Sequence, residues 1–568
     1  MHMKKILLTF AAALTFAVVF TSCIKEIEPQ SSVITQAQAA EAPGSFSNFV
    51  STLTSSLCGN FEYGGSSNYP YDYGYPSFYI QRDLMGQDFV CLTGSGWYYY
   101  WYCRFIYLGP TYAVCQLPWT YYYTWIKNCN TVIQMAADNL DDDEFRQGAG
   151  QAYALRAMFY MDLARMFAQE SYAYNLEAET VPIIDENTIV GDTYSNARAT
   201  NEVMWDFILS DLDLAEEYLA DYERDDVYTP DVSVVYGLKA RAYLTMEDWA
   251  NAQTYAKKAQ SGYTALSEDE FLSWEDGFNT PTSSWMLGCT FKSTDECILD
   301  NDADSSWGSW MILEVGPSEC GYAANYGYPF GIDRHLYETI PDTDYRKKTF
   351  IDFSIDEMSE DAALEALAEY SEQPDYLIVT SEAAGTGVGG YELKFRPNGG
   401  EHSNQYTAFT VAVPMMRVEE MMLIEAEAAG MQSLSEGLSL LTTFGQRRDP
   451  SYNASSYAHN EAYGNSSTSA FQNEVWWQRR VELWGEGFAT FDIKRLNKGI
   501  IRSYADTDHY EGYRWNYGDY TTNGDGMIYP GWMDLCIVQT ETNYNAACTN
   551  NPVTTPPDED SEEATSFD

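Results

Sequence analysis

Residues 232–261 read VSVVYGLKARAYLTMEDWANAQTYAKKAQS, and their spacing decides the class of the fold. Val235, Leu238 and Ala242 step by three and four, the interval that gathers side chains on one face of an α-helix. Asp231 stands where an N-cap belongs. Only Glu247 and Asp248 separate this helix from the next, in which Trp249, Ala252, Ala256 and Ala259 share a face before Gly262 stops it. A turn this short makes the two helices antiparallel neighbours, and alanines on the shared face let their backbones come close.

The same period recurs on both sides. Met204, Phe207, Ile208, Leu212, Ala215 and Leu219 form one stripe over 201–220, with Thr200 as its cap. Helical signals also cover about 119–139, 145–168, 415–429, 434–446 and 472–486. Segment 263–413 differs: Gly, Trp, Asp and Tyr dominate, and strand-like pieces show at Tyr376–Thr380 and Tyr391–Phe395. The expected fold is mainly α, a helical scaffold over about 119–262 and 414–497 carrying a large irregular, strand-poor insertion over about 263–413. Antiparallel helices on short turns resemble tetratricopeptide units.

The ends of the chain carry targeting information. Residues 1–22 have a basic start (Lys4, Lys5), an apolar run from Ile6 to Phe20 and small residues Thr21 and Ser22 before Cys23. That pattern is a secretory signal, and its apolar run is shorter than the ~20 residues of a membrane-spanning helix. Phe20-Thr21-Ser22-Cys23 resembles the lipobox of bacterial lipoproteins, which implies diacylation at Cys23 and an acyl anchor such as palmitate. Residues 23–44 read as a flexible tether, and its early charges Lys25, Glu26 and Glu28 resemble a surface-export signal. Residues 550–568 read as an acidic, proline-bearing, disordered tail.

Composition narrows the partners. A formal charge of −52 repels phosphate backbones and excludes nucleic acid. It favours neutral or cationic ligands, and also keeps an exposed protein soluble. Besides Cys23 there are ten cysteines, none in a C-x-x-C unit. Export permits disulfides, and the closest pairs outside 58–129 are Cys289–Cys297 and Cys536–Cys548; bridges and buried free thiols both remain open.

Enzyme motifs are missing. The five histidines form no H-E-x-x-H, and there is no G-x-S-x-G and no P-loop. Gly385-x-Gly387-x-x-Gly390 opens no helix and reads as a loop. Asp300, Asp302 and Asp304 alternate as in the start of a calcium loop, but lack its glycine and closing glutamate. Calcium is therefore a weak candidate and no other cofactor is expected.

Family resemblance comes from five blocks in order. They are Ala154-Leu-Arg-Ala-Met-Phe-Tyr160, the segment from Asn201 to Ala215, that from Gly237 to Ala252, Met416 to Ala428 with Arg447-Arg448, and Arg479 to Arg495. Together these resemble the SusD/RagB family; Gln478 and Ala489 depart from it, standing where Glu and Arg are usual. The resemblance implies a non-enzymatic SusD-like domain over 45–549, on an outer-membrane lipoprotein facing the cell exterior. It implies capture of a nutrient, mostly a glycan, for a SusC-like TonB-dependent transporter in polysaccharide uptake. A surface glycoside hydrolase and a peptide-binding member are the alternatives.

Aromatic density marks the candidate ligand site. Trp97-Tyr-Tyr-Tyr-Trp101-Tyr102 follows Asp83–Asp88, which resembles the family segment ahead of a ligand-contacting loop. If that run is extended, Trp97, Tyr99 and Trp101 share one face. Trp307, Trp310 and Tyr326, from the irregular half, would complete a platform on which sugar rings stack.

Overall fold

The computed structural model describes residues 44–60, 71–105, 107–316, 320–518, 527–554 and 556–568. The chain divides into two units, Met1–Asn48 and Phe49–Asp568. Of the first, Gly44–Asn48 is described, where the Ser47 hydroxyl donates to the Gly44 carbonyl at 3.1 Å. The signal, the lipidation reading at Cys23 and the tether as far as residue 43 lie outside the described residues.

The scaffold of the second unit is built from α1 (Ala113–Ala136), α2 (Asp143–Phe167), α3 (Asn201–Tyr218), α4 (Val232–Met246), α5 (Trp249–Ala259), α6 (Val418–Gln432), α7 (Leu434–Gly445), α8 (Ala470–Glu482) and α9 (Ala489–Arg495). The expected caps are present. Thr200 accepts the Val203 N–H, and Asp231 accepts those of Ser233 and Val234 at 2.9 and 3.1 Å. Glu247 takes a left-handed φ of 58°, which turns α4 into α5 without a loop. Successive helices pack as α1 on α2, α2 on α3 and α4 on α5; α6 then returns against α5 and α4, and α7 and α8 follow on α6. The two helical groups, far apart in sequence, thus make one stack. The crossing of α6 and α7 needs glycine: a Cβ on Gly437 would lie 2.3 Å from the Gly430 Cα.

A buried ionic knot ties α6 and α8 to the insertion. Glu482 meets Arg417 and Arg448 through Oε1 (3.2 and 3.0 Å), and Arg346 and Arg448 through Oε2 (3.1 and 2.9 Å). Glu419 pairs with Arg417 and Arg448, and Glu486 with Arg417 and Lys394. Burial alone would raise the Glu482 carboxyl; Arg448, Arg417 and Arg346 outweigh it and hold the group far below the usual carboxylate range. The two departures from the family pattern fit locally. Gln478 Oε1 still accepts from Arg346 at 3.0 Å, and Ala489 packs beside Gly86 while its N–H donates to Asp83.

The irregular half has its own core: Leu313, Ala323, Ile351, Leu367, Leu377, Val388, Tyr391 and Leu393 are buried together. Its strands are short and antiparallel: β1 (Phe89–Cys91), β2 (Trp285–Thr290), β3 (Phe330–Ile332) and β4 (Ala412–Arg417), paired β1–β3 and β2–β4. Two expectations are corrected here. Tyr376–Thr380 is not a strand but part of the helix Pro374–Ala384, since Leu377, Thr380 and Ser381 turn inward at helical spacing and Gly385 caps it with φ 68°. The acidic tail is docked, not disordered. Asp560 accepts the N–H groups of Gly512 and Arg514, Ala564 bridges to Tyr504, and Phe567 stacks on His335 at 3.4 Å.

Candidate functional site

The aromatic run after β1 is helical, not extended. Gly96, with φ 92°, starts a tight turn whose Tyr100 N–H reaches the Gly96 carbonyl; Tyr99–Cys103 continues it with an Arg104 N–H to Tyr99 carbonyl bond of 3.0 Å. Glycine suits this position because a Cβ would also press on the Tyr328 ring at 3.2 Å. A wide helical turn sends side chains four apart to one side. Trp97 and Trp101 accordingly both lie edge-on to Tyr71, at 6.4 and 4.7 Å.

Tyr99 does not share that face. It is buried, donates to the Glu511 carbonyl at 3.1 Å and packs on Tyr510 and Tyr513. Tyr98 and Tyr102 are also buried, and the Tyr98 and Tyr73 hydroxyls hydrogen-bond at 2.7 Å. Solvent meets Trp97 (38% exposed) and Tyr100 (39%), with Trp101 half-buried.

The second strip of the site comes from the irregular half. The helix Trp307–Met311 is capped by Ser306, whose side chain accepts the Ser309 N–H. It points both tryptophans inward. Trp307 is wedged edge-on between Tyr79 and Phe395 at 5.9 and 5.3 Å, so it is a core residue and not a ligand platform. Trp310 is equally buried but carries the site from beneath, because Tyr322 stacks on it at 4.5 Å and 10°. Tyr326 stacks on Tyr322 in turn at 4.9 Å and is 48% exposed. Trp310, Tyr322 and Tyr326 thus form a column from core to solvent, with Trp97 edge-on to Tyr322 at 5.7 Å.

A polar rim borders the column. Asp304 accepts the Gly321 N–H at 2.6 Å and a hydrogen bond from Tyr326; burial lifts its carboxyl to about 6 in spite of these donors. The same burial, with Asp304 nearby, raises the Tyr322 phenol. Tyr406, 39% exposed, donates to Asp302 at 3.0 Å. Asn301, Asp302 and Ala303 all have left-handed φ (51°, 55° and 64°). That turn sends Asp302 and Asp304 to separate partners, and the alternating aspartates do not converge as a calcium loop requires. Among the described residues, the His, Cys and carboxylate groups whose ligand atoms converge within 4.8 Å are Asp333, Asp508 and His509, away from these aspartates. Asp333 there also caps a helix and accepts from Tyr504.

Of the six sequence-predicted ligand residues, Trp97 and Tyr326 reach the exposed ledge, Trp101 lies beside it, Trp310 supports it, and Tyr99 and Trp307 are core. Tyr322 and Tyr406 join it as well. Tyr322 stood in the glycine-rich aromatic group, and nothing local in the sequence marks Tyr406. Chemically the ledge offers flat rings for apolar faces, with phenol and carboxylate groups at the edge for hydroxyls. A cavity of about 270 Å³, lined by Arg334, Tyr337, Glu338, Asp352 and Asp508 among others, lies elsewhere. No described helix is long and apolar enough to cross a membrane.

Residues 108–244 match the family model SusD-like_3, described as "Starch-binding associating with outer membrane". No curated protein matches the chain. Among solved structures, a SusD-like carbohydrate binding protein from Bacteroides vulgatus is 20% identical, with a TM-score of 0.66 over 89% of this chain and 97% of that one. A laminarin binding SusD-like protein is 18% identical, with a TM-score of 0.58 over 89% and 98%. Surface glycan-binding protein A from Bacteroides thetaiotaomicron, solved with laminarihexaose, is 15% identical, with a TM-score of 0.60 over 88% and 97%. The fold is the SusD-like, mainly α fold.

Proposed function

We propose that this chain, a SusD/RagB-type protein, captures an oligosaccharide outside the cell and delivers it to a SusC-like TonB-dependent transporter. It is held on the outer face of the outer membrane by acyl chains on Cys23. The observation that carries the binding reading is the Trp310–Tyr322–Tyr326 column, whose last ring is half-exposed beside Trp97 and a phenol–carboxylate rim. Stacked rings hold the apolar face of a sugar while rim groups bond its hydroxyls. One protein of the same fold binds laminarin and another was solved with laminarihexaose, which makes β-linked gluco-oligosaccharides the first ligands to try.

Calorimetric titration with laminarihexaose, starch-derived and other oligosaccharides tests the reading. At least one class should give a saturable heat, with no shortening of the sugar on long incubation. No heat from any class, in protein shown to be folded, refutes glycan capture; shortened products would make the chain a hydrolase, and binding confined to peptides a peptide receptor. For the anchor, Cys23→Ala should release the protein from the membrane fraction or leave an unprocessed precursor. For the transporter, pull-down from detergent-solubilised membranes should recover a large outer-membrane barrel in near-equal amount.

A further inference from the structure

We propose that Cys91 and Cys103 are joined by a disulfide in the exported protein, closing the loop that presents Trp97, Tyr100 and Trp101. The proposal rests on the export reading above, because an oxidising compartment is needed for the bond to persist.

Geometry brings the two thiols together from opposite ends of the loop. Cys91 ends β1, where it pairs with Phe330, and Cys103 ends the helical turn. Their Sγ atoms lie 3.5 Å apart, in direct contact and buried. Both backbones are pinned: Tyr513 donates to the Cys91 carbonyl at 3.2 Å and Arg502 to the Cys103 carbonyl at 3.3 Å. Bond formation shortens the contact from 3.5 Å to about 2.0 Å.

The pair is not alone. Cys115 is in hydrogen-bond contact with Cys536, and Cys58 with Cys289, each from distant parts of the sequence. Buried thiols scattered as small apolar side chains would have no reason to meet so often. The nearest pairs in sequence, Cys289–Cys297 and Cys536–Cys548, are not the ones brought together. Cys129 and Cys320 have other groups around them.

Burial raises the Cys91 thiol, so Cys91 is a poor nucleophile once folded and the bridge forms while the chain folds. One thiolate attacks an oxidant of the protein-disulfide class and forms a mixed disulfide. The second thiolate then displaces the oxidant's sulfur. The two cysteines lose two electrons and two protons, and the oxidant leaves as a dithiol.

The tryptic peptide Asp83–Arg104 contains both cysteines and no other, which makes the test direct. Full-length protein is taken from the outer-membrane fraction, and a second sample is refolded in a glutathione redox buffer. Each is denatured and labelled with N-ethylmaleimide without reductant. Expected is an unlabelled Asp83–Arg104 peptide about 2 Da lighter than its dithiol form, while Cys129 and Cys320 take label. Two labels on that peptide from the refolded chain overturn the proposal. A bridge in the refolded chain with two labels in the cellular form overturns the export reading instead. As a second readout, amide exchange over 92–102 in the folded protein should quicken about tenfold on reduction and in the C91S/C103S variant. Unchanged exchange on both counts removes the role assigned to the bridge.

Discussion

The two halves of this protein are held by opposite chemistry. At the scaffold seam, Arg346, Arg417 and Arg448 close around Glu419, Glu482 and Glu486 in a knot that solvent does not reach. At the ledge, neutral rings stack outward and the carboxylates sit at the edge. A buried ion pair contributes little net stability over a well-packed apolar pair, but it penalises every arrangement in which a partner is missing. Stacked rings tolerate more, since a neighbour can slide along a flat face. The knot therefore fixes one register between distant segments, whereas the ledge is free to vary.

The largest effect should come from breaking the knot. Glu482→Ala leaves three guanidinium groups short of their shared carboxylate and should cost roughly 3–5 kcal/mol of stability in denaturant unfolding. A loss under about 1 kcal/mol would mean that water or a neighbouring carboxylate replaces it, and the contrast between the halves would fade.

Trp307→Ala probes the boundary between them. Its ring is wedged between Tyr79 and Phe395, so truncation should cost about 3 kcal/mol or more of stability and leave oligosaccharide affinity intact in the folded fraction. Lost affinity with an unchanged melt would return Trp307 to the ligand site.

At the ledge the ranking reverses. Trp97→Ala and Tyr326→Ala should each weaken oligosaccharide binding about five- to thirtyfold, with stability altered by no more than about 0.5 kcal/mol. A Trp310→Ala variant, by contrast, should lose both, because the column then has no base. If the Tyr326 variant melts far lower and binds as before, that ring belongs to the packing.

The smallest effect is in acid, and its sign differs between the regions. Glu482, Glu486 and Asp492 lie below their ordinary values, held there by arginines against the effect of burial. Their stabilisation is complete above the unfolded carboxylate range, near about 4, and is lost as pH falls below it. Asp304 is raised by burial to about 6, so its folded form gains a proton first and its contribution falls as pH climbs from about 4 through 6. Melting temperature should therefore drop below about pH 4 as the knot takes up protons, while Asp304→Asn removes the part of the profile that declines from about 4 to 6. A fall that begins at neutral pH would contradict the knot's role.

The helical scaffold was legible because its signals are local. Period, caps at Thr200 and Asp231, and the two-residue turn at Glu247 act within a few residues, and α4 begins and ends where the sequence places it. The ledge was legible as composition but not as geometry. Whether Trp97 and Tyr99 share a face depends on the backbone between β1 and Arg104, which Tyr328 and Tyr510 shape from far along the chain. Trp307 and Trp310 have the same local context and separate roles, decided by Phe395 above one and Tyr322 above the other. The tail misled for a similar reason: its acidity suggested freedom, but Phe567 and Asp560 find partners that no local pattern announces.

The column of rings also sets the order in which descendants of this protein can diverge. Tyr326 stands at the tip, Tyr322 in the middle and Trp310 at the root. A substitution at the tip changes what is recognised and leaves the core as it was; one at the root changes both. Diversification should run from the tip inward, with new specificities appearing at position 326 long before the tryptophan beneath them is touched.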